Sequence, residues 1–327
     1  MYAEYQSCKL CPRDCGVNRN AGVTGLCGEP AEARVAWAGL HFGEEPPVTG
    51  KGGSGTIFIT GCNLRCAFCQ NFQISQDGMG KAVSTAEFAA ICLALQNAGA
   101  ENINIVTGSH AIPAVAAGLR EARALALDIP ILWNSSAYET PEELSLLDGL
   151  VTVWLPDLKT LNPVLSESVF RAADYPKSAK KAIRYMADTS PLNIEHPDDA
   201  KYPAGKILSG VIVRHLALPG KLADTELVLR WFAGHLADKA ILSLMTQYTP
   251  VTQSPYSKKL DAFPNRPLDR QEYHRLTELL EELNIDTGFY QELVDDTDWL
   301  PDFNRTQPFS SKLARPVWHW KTGFIQP

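Results

Sequence analysis

The stretch TIFITGCNLRCAFCQN, residues 56–71, joins a short apolar run to three closely spaced cysteines. The run TIFIT, residues 56–60, is rich in β-branched and aromatic residues and predicts a buried strand. Cys62, Cys66 and Cys69 follow it directly, separated by three residues and then by two. Iron–sulfur clusters are normally held by four cysteine thiolates, so three predict a cluster with one iron open to a small molecule. A structural zinc ion with a fourth ligand from elsewhere is the alternative.

Apolar, β-branched runs alternate with helical patterns up to about residue 250. This alternation is typical of strand–helix units repeated around a parallel sheet. Six runs are predicted to be strands: TIFIT (56–60), NINIV (102–106), IPILW (129–133), VTVWL (151–155), VIVRHLAL (211–218) and ILSLMT (241–246). Six strands of one kind predict an α/β fold with an open or partial parallel barrel of the (β/α)6 type. The cysteine loop would lie at the carboxyl end of that barrel, where such enzymes keep their chemistry.

Local signals predict where several helices begin. Ser84 and Glu87 are three residues apart, as in a capping box, and the apolar positions that follow place Cys92 on a buried stripe. Thr140 followed by a proline predicts a second helix start. Asp224 is predicted to cap a third helix, and a fourth is expected over 268–283.

The composition is that of a globular protein. The chain has 327 residues, 45% apolar and 20% charged, enough for one large domain with appendages or for two domains. The net charge of -7 argues against a general nucleic-acid binder, which needs a basic surface. No apolar run reaches the roughly 18 residues of a membrane span, and the first residues lack a signal-peptide pattern. A cytoplasmic protein is therefore expected.

A second group of cysteines lies near the start of the chain. Cys8, Cys11, Cys15 and Cys27 are separated by two, three and eleven residues, with glycines that allow tight turns around a metal. In a reducing compartment, such groups are more readily explained as metal ligands than as disulfides. Four thiolates suit either tetrahedral zinc or a fully ligated [4Fe-4S] cluster. Zinc would be a structural staple, whereas a cluster could also relay electrons.

Three regions are predicted from these patterns. They are a cysteine-rich metal-binding segment at 1–50, a core barrel at 51–250, and a helix with an aromatic extension at 251–327. The aromatic residues of the extension have no regular spacing, and we expect them to lie in surface grooves of the body. The polar stretch 187–205 is predicted to be a long surface loop, and loops of that length often carry function.

The cysteine motif resembles a known signature. CxxxCxxC with an aromatic residue, here Phe68, before its last cysteine resembles the signature of the radical S-adenosylmethionine superfamily. The resemblance implies that Cys62, Cys66 and Cys69 bind a [4Fe-4S] cluster whose fourth iron is chelated by the amino and carboxylate groups of S-adenosylmethionine. Phe68 is assigned to the cofactor site with them. One electron would then cleave the sulfonium to methionine and a 5′-deoxyadenosyl radical, which abstracts a hydrogen atom from the substrate.

Longer motifs resemble one group within that superfamily. CxxCPRxCGVNRxxGxxGxCG, GEEPP, NINIVTGSH and LPDLK together resemble homologues of the pyruvate formate-lyase activating enzyme, from Cys8 to about Pro250. The resemblance implies that the substrate is a backbone glycine of a partner enzyme, which becomes a glycyl radical, and that a flavodoxin or ferredoxin donates the electron. Radical modification of another peptide or of a small metabolite is the alternative, because the chain lacks the ferredoxin-like cysteine insertion of many activating enzymes. A non-catalytic scaffold with zinc at both cysteine groups is a third hypothesis.

The resemblance also implies residues that hold the cofactor. The superfamily's second strand usually ends in a Gly-Gly-Glu type motif that binds the amino group of S-adenosylmethionine. The matching position holds Thr107 and Gly108 without a glutamate, so Thr107 and backbone carbonyls are expected to supply the acceptors. After the third strand, Asn134, Ser135 and Ser136 suit the ribose or carboxylate of the cofactor, and a helix-capping turn ahead of Thr140 is an equal alternative.

Charged residues near the ends of the later strands complete the predicted site. Asp157 and Lys159 resemble the Asp-x-Lys pair of the activating enzymes and are assigned catalytic roles, since residues two apart on an extended chain point the same way. Arg214 and His215 lie within the fifth apolar run, where a charge needs a partner or a cavity. One of them is predicted to face the cofactor carboxylate, and Arg214 is the preferred candidate. Glu44 and Glu45 either line the barrel mouth or are solvated.

Overall fold

A computed structural model describes residues 1–196, 202–257, 260–293 and 299–326 of the chain. Its strands are β1 (Ala33–His41), β2 (Ser54–Ile59), β3 (Lys81–Val83), β4 (Ile103–Val106), β5 (Ile131–Ser135), β6 (Val153–Pro156), β7 (Asn193–Glu195), β8 (Lys206–Leu216), β9 (Ile241–Met245), β10 (Gly288–Tyr290), β11 (Ala314–His319) and β12 (Gly323–Phe324). Its α-helices are α1 (Pro46–Thr49), α2 (Phe72–Ser75), α3 (Thr85–Asn97), α4 (Ile112–Ala124), α5 (Pro141–Leu144), α6 (Pro163–Phe170), α7 (Tyr175–Thr189), α8 (Leu222–His235) and α9 (Arg270–Glu282). No helix among these residues is both long and apolar enough to cross a membrane.

Seven parallel strands form the centre of the sheet. Among the described residues they lie in the order β10, β9, β8, β6, β5, β4 and β2, and every neighbouring pair is parallel. All six predicted strands are present with shifted ends. Within the described ranges β2 and β10 do not pair with each other, so the sheet is open. The α/β fold with a partial parallel barrel is therefore confirmed. The sequence does not reveal β10, because its run GFY is only three residues long.

Antiparallel strands extend the sheet beyond β2. β1 pairs with β2 and with β11, and β12 pairs with β11. Residues 33–41 are therefore part of the main sheet, although the sequence analysis includes them in the N-terminal cysteine-rich segment. An antiparallel strand needs no helical crossover, so β1 lacks the strand–helix alternation by which the other strands are recognised.

The C-terminal extension packs into the core. Phe303 and Trp318 are fully buried, and Phe309 lies in an apolar cluster with Trp37 and Phe58. The prediction that the aromatics of the extension lie in surface grooves was wrong for Phe303, Phe309 and Trp318. Their irregular spacing gave no signal for strand β11, whose pairing with β1 brings the extension against the sheet.

Two predicted helix starts are confirmed at their caps. The Ser84 hydroxyl accepts a hydrogen bond of 3.1 Å from the backbone amide of Glu87, and α3 follows. Thr140 forms a reciprocal capping box with Glu143 at the start of α5. Cys92 is fully buried on α3, as its place in the apolar stripe predicts. The spacing of polar residues in the sequence was enough to predict these two helix starts, because a capping side chain bonds only to the first turn of its own helix.

Two other local predictions differ from the structure. α8 begins at Leu222, so Asp224 does not cap it and lies in its first turn, where a carboxylate interacts favourably with the helix dipole. The stretch 187–205 is not wholly a loop, because it contains the end of α7 and the strand β7, which pairs with β8. Residues 197–201 of that stretch lie outside the described residues.

Candidate active site

The loop cysteines open into a cavity of about 510 Å³. Its walls include residues at the carboxyl ends of the parallel strands, where barrel enzymes place their active sites. The predicted site residues that line it are Cys62, Cys66, Phe68, Cys69, Thr107, Asn134, Ser136, Asp157, Lys159 and Arg214. Gly108 packs on the Trp133 ring instead, so closely that a Cβ atom at Gly108 would lie 2.4 Å from that ring. The volume is within the range of small-molecule sites.

A tight turn starts the cysteine loop after β2. Gly61 has a φ of +85°, which glycine adopts without steric cost. The backbone amide of Leu64 donates a hydrogen bond of 3.4 Å to the Cys62 sulfur, and the Cys69 sulfur lies 3.3 Å from the Ser75 hydroxyl. Hydrogen bonds to cysteine sulfur are one means by which proteins set the potential of an iron–sulfur cluster.

Asp157 and Lys159 form a salt bridge in the cavity wall. Lys159 Nζ lies 2.6 Å from Asp157 Oδ2, and the Tyr175 hydroxyl accepts from the Lys159 amide and donates to the Asp157 carbonyl. Burial raises the pKa of Cys66, and the positive charge of Lys159 opposes that shift. Burial also raises the pKa of Cys69, to about 11. Lys159 thus favours the thiolate at Cys66, which is the form that binds metal.

Phe68 anchors the cysteine loop in an aromatic cluster. Its ring centroid lies 5.6 to 6.1 Å from those of Phe170, Tyr248 and Phe263. Aromatic pairs at such distances stabilise beyond the area they bury. The side chain between the second and third loop cysteines therefore fixes the loop against α6 and the segment after β9.

Thr107 has a strained backbone at the end of β4. Its φ is +63°, a left-handed conformation that is rare for a β-branched residue. Its amide donates a hydrogen bond of 2.9 Å to the Asn134 carbonyl, which joins the ends of β4 and β5. Strain of this kind costs of order 1 to 3 kcal/mol and is concentrated at functional sites.

Glu139 is a buried carboxyl group that the sequence analysis missed. Its two oxygens accept hydrogen bonds from Ser109 Oγ at 2.7 Å, Trp133 Nε1 at 2.7 Å and Ser135 Oγ at 2.8 Å. Burial raises its pKa. Glu139 thereby fixes the turns that follow β4 and β5. The Ser135 hydroxyl is occupied by local structure rather than open to a ligand. It donates to Glu139 and accepts a hydrogen bond from the Ala137 amide, as the alternative of a turn after β5 predicts.

Arg214 is paired with two carboxylates that the sequence analysis left unassigned. Its Nε donates a hydrogen bond of 2.9 Å to Glu45, and its Nη2 contacts both Glu44 and Glu45. Although burial alone would lower it, these carboxylates raise the pKa of Arg214 above its usual value. Glu45 is buried, whereas Glu44 lines the cavity. The role of Arg214 at the cofactor carboxylate stays a prediction.

The C-terminal extension supplies one wall of the cavity. Trp299 and Phe309 line it, and Gln73 just after the cysteine loop holds the extension in place. Gln73 donates a hydrogen bond of 3.0 Å to the Asp302 carboxylate and accepts one of 2.8 Å from the Phe303 amide. The predicted aromatic extension therefore belongs to the site, which its irregular sequence did not reveal.

The N-terminal cysteines gather around a second, much smaller cavity. Cys8, Cys11, Cys15 and Cys27 all line a space of about 10 Å³, together with Asn63 of the cysteine loop. Among the described residues, no group of three or more His, Cys, Asp or Glu side chains is placed so that it could hold a metal ion. The metal roles of both cysteine groups therefore stay predictions, based on the chemistry of the gathered thiols.

Two buried groups beside the N-terminal cysteines were also missed by the sequence analysis. Arg19 is 2% exposed, and its donors reach backbone carbonyls and the Cys8 sulfur. A buried guanidinium needs compensating negative charge, which cysteine thiolates would supply. His110 lines the same cavity, and its Nε2 lies 2.7 Å from the Thr60 carbonyl. Its Nδ1 has no hydrogen-bond partner in the described part of the chain.

Comparisons with known proteins find one family model and several similar proteins. The family model of the Radical SAM superfamily matches residues 56–193. Uncharacterized protein MJ0674 of Methanocaldococcus jannaschii is 30% identical over 290 residues, which cover 86% of this chain and 76% of that protein. The crystal structure of Streptococcus suis SuiB bound to the precursor peptide SuiA is similar with a TM-score of 0.49 and 13% identity. That match covers 72% of this chain and 47% of SuiB, so the chain spans about half of that structure's length. Methylornithine synthase (PylB) has a TM-score of 0.47 and 13% identity, covering 80% of this chain and 74% of its own.

The chain belongs to the radical S-adenosylmethionine superfamily. Membership implies a [4Fe-4S] cluster, S-adenosylmethionine as its ligand, cleavage of that cofactor to a radical, and a reductant that supplies the electron. It favours a cluster over structural zinc at the three-cysteine loop. The narrower likeness to homologues of the pyruvate formate-lyase activating enzyme stays a prediction.

Proposed function

We propose that this protein binds S-adenosylmethionine and an organic substrate in the 510 Å³ cavity and abstracts a hydrogen atom from that substrate. The observation that carries the proposal is the gathering of three thiols and the polar ends of several parallel strands around one cavity. A [4Fe-4S] cluster, when bound, supplies the electron that splits S-adenosylmethionine into methionine and a 5′-deoxyadenosyl radical.

Cys62, Cys66 and Cys69 are proposed to hold the cluster as thiolates. The donor set fits the group, since all three thiols line the same cavity and thiolate is the ligand that iron–sulfur clusters take. Lys159 supports this role because its charge favours the ionised form of Cys66. Phe68 keeps the loop in place through its aromatic neighbours.

The remaining cavity residues are proposed to orient the organic molecules. Thr107, Asn134 and Ser136 offer hydroxyl, amide and carbonyl groups where β4 and β5 end, which suits the methionyl and ribose parts of the cofactor. Lys159 uses one of its three donors on Asp157, so two remain for a ligand. The pair therefore presents a positive donor and a carboxylate acceptor side by side.

The identity of the substrate is a separate question. A backbone glycine of a partner enzyme, with a flavodoxin or ferredoxin as electron donor, stays the first prediction from the sequence motifs. Another peptide or a small metabolite stays the alternative. The enclosing wall from Trp299 to Leu313 supports a substrate that presents an apolar surface to the C-terminal extension.

A second metal is proposed at Cys8, Cys11, Cys15 and Cys27, either zinc or another [4Fe-4S] cluster. All four thiols line one cavity, and the buried cation of Arg19 lies against the Cys8 sulfur. Four thiolates around either metal would add negative charge beside this buried guanidinium. An anaerobic count of iron and zinc in the Cys11→Ala variant distinguishes the two metals. Unchanged contents of both would contradict the proposal.

Metal analysis of matched cysteine variants tests the cluster site. Full-length protein purified without oxygen is compared with Cys66→Ala and with Cys92→Ala, which changes a buried cysteine on α3 away from the loop. We expect Cys66→Ala to lose about four irons and four sulfides per chain, the content of one cubane cluster. Cys92→Ala should retain them. Equal iron and sulfide in both variants would contradict a cluster at the loop.

A further inference from the structure

Glu44 lies between two strands that are not neighbours in the sheet. Its Oε1 accepts a hydrogen bond of 3.3 Å from Asn104 Nδ2 on β4, and its other oxygen contacts Arg214 on β8. Strands β5 and β6 separate β4 from β8. The carboxylate therefore lies on the inner face of the curved sheet, where it also lines the large cavity.

The negative charge at this point is only partly balanced. Glu44 and Glu45 both pair with Arg214, which is their one permanent cation among the described residues. The other ionisable neighbour is His41, whose Nδ1 lies 3.5 Å from Glu44. Burial lowers the pKa of His41, so this imidazole is neutral near pH 7. One carboxylate charge is left uncompensated, and burial makes such a charge costly.

Hydrogen-bond acceptors are also in excess here. Asn104 is fully buried and uses its Nδ2 on Glu44, which fixes its Oδ1 as an acceptor. That oxygen has no hydrogen-bond partner in the described ranges of the chain. Asn104 itself does not line the cavity, so it is the surplus negative charge at Glu44, which does line it, that indicates a missing group that is positively charged and donates hydrogen bonds.

We propose that Glu44 receives the cationic head group of the substrate, an ammonium carried on an aliphatic stem. The cavity supplies apolar side chains for such a stem in Phe58, Val106, Phe309 and Leu313. This inference rests on the proposed function, because it names the substrate class of the same cavity.

The head group lies apart from the cysteine end of the cavity. Asn104 lies on β4, three residues before Thr107, which follows the strand's last residue; three residues correspond to about 10 Å along a strand. The cysteine loop begins beyond the carboxyl end of β2, the strand paired with β4. A cofactor bound at the cysteines and a cation bound at Glu44 would thus occupy different ends of the cavity.

Binding of a charged probe and its neutral counterpart tests this assignment. n-Butylammonium and n-butanol are titrated by calorimetry into anaerobically reconstituted holoenzyme without reductant, with and without saturating S-adenosylmethionine. A hydrogen bond to a charged group predicts at least about tenfold tighter binding of n-butylammonium. This preference should persist when S-adenosylmethionine is present, be lost in Glu44→Gln, and remain in Glu101→Gln, a partly buried carboxylate outside the cavity.

Three results would overturn the inference. They are equal affinity for the two probes, an unchanged preference in Glu44→Gln, and displacement of n-butylammonium by S-adenosylmethionine, which would assign the site to the cofactor. Equal affinity of the wild type for the two probes overturns the inference even if Glu44→Gln does not fold. Cofactor cleavage without ammonium preference contradicts only this inference, whereas ammonium preference without cleavage contradicts only the proposed function.

Discussion

Arg13 Nε donates a hydrogen bond of 2.8 Å to the backbone carbonyl of Asn63. Arg13 lies among the N-terminal cysteines and Asn63 directly follows Cys62, so this bond joins the two cysteine groups of the chain. Asn63 Nδ2 in turn donates a hydrogen bond of 2.7 Å to the Tyr138 carbonyl. The N-terminal segment therefore supports the loop that is proposed to hold the catalytic cluster.

Replacing Arg13 should loosen this support. Its guanidinium also donates to the carbonyls of Phe170 and Arg171, so Arg13→Ala leaves three acceptors without their charged donor. We expect the free energy of unfolding to fall by about 2 kcal/mol, since bonds from a charged donor are the stronger ones. Chemical denaturation measures this. Arg120→Ala, which removes one exposed hydrogen bond, is the control and should change stability by less than about 0.5 kcal/mol. Equal losses would contradict the supporting role.

The C-terminal extension offers a matched pair of phenylalanines. Phe303 is fully buried, whereas Phe324 is 50% exposed. Phe303→Ala should lower the free energy of unfolding by about 3 to 5 kcal/mol, because it opens a cavity in the core. Phe324→Ala should change it by less than about 1 kcal/mol. If urea titration finds the two losses alike, the extension does not pack as the structure describes.

Sequence patterns predicted the features that depend on near neighbours. Runs of β-branched residues identified six parallel strands, because strands buried on both faces are continuously apolar. The spacing of Cys62, Cys66 and Cys69 identified the loop, because all three cysteines lie within one stretch of eight residues. The Ser84 and Thr140 caps were readable for the same reason.

Features that join distant residues were not predictable in this way. Arg214 and Glu45 are 169 residues apart, and nothing in either local sequence indicates their hydrogen bond. The pairing of β1 with β11 brings residues 33–41 and 314–319 together, and the aromatic contacts of the C-terminal extension depend on that pairing. Glu139 appears in the sequence as one carboxylate before a helix, although it binds side chains from two strand ends.

Thr107 should separate stability from cofactor binding. Thr107→Gly relieves the left-handed strain, so the free energy of unfolding should stay the same or rise by about 1 kcal/mol. Affinity for S-adenosylmethionine should fall about tenfold, the effect of losing one hydrogen bond of about 1.4 kcal/mol. Thr107→Ser keeps the hydroxyl and should retain the affinity. Calorimetry that finds the same dissociation constant for both variants would remove Thr107 from the cofactor site.

His215 should make stability depend on pH. Burial lowers its pKa to about 4 from the ordinary value of 6.5. Its Nδ1 donates a hydrogen bond of 2.7 Å to the Leu158 carbonyl, and its Nε2 lies 3.0 Å from Thr225 Oγ1. The unfolded chain therefore binds more protons between pH 6.5 and pH 4. Stabilisation is fully present above pH 6.5 and is lost as the pH falls through this window, by up to about 3 kcal/mol.

Unfolding curves across this range check the sign and the residue. His215→Gln cannot take up the proton, so its free energy of unfolding should depend less steeply on pH than that of the wild type. His274→Gln, at an exposed histidine on α9, should follow the wild type. The same pH slope in all three proteins would show that another group is responsible.

Formation of 5′-deoxyadenosine is the most direct test of the central claim. Reconstituted full-length protein is incubated without oxygen with S-adenosylmethionine and a low-potential reductant, and the products are quantified by chromatography. We predict 5′-deoxyadenosine and methionine in equal amounts from the wild type and from Cys92→Ala, and neither product from Cys66→Ala. Absence of both products from cluster-loaded wild-type protein, or equal cleavage by Cys66→Ala, would contradict the account.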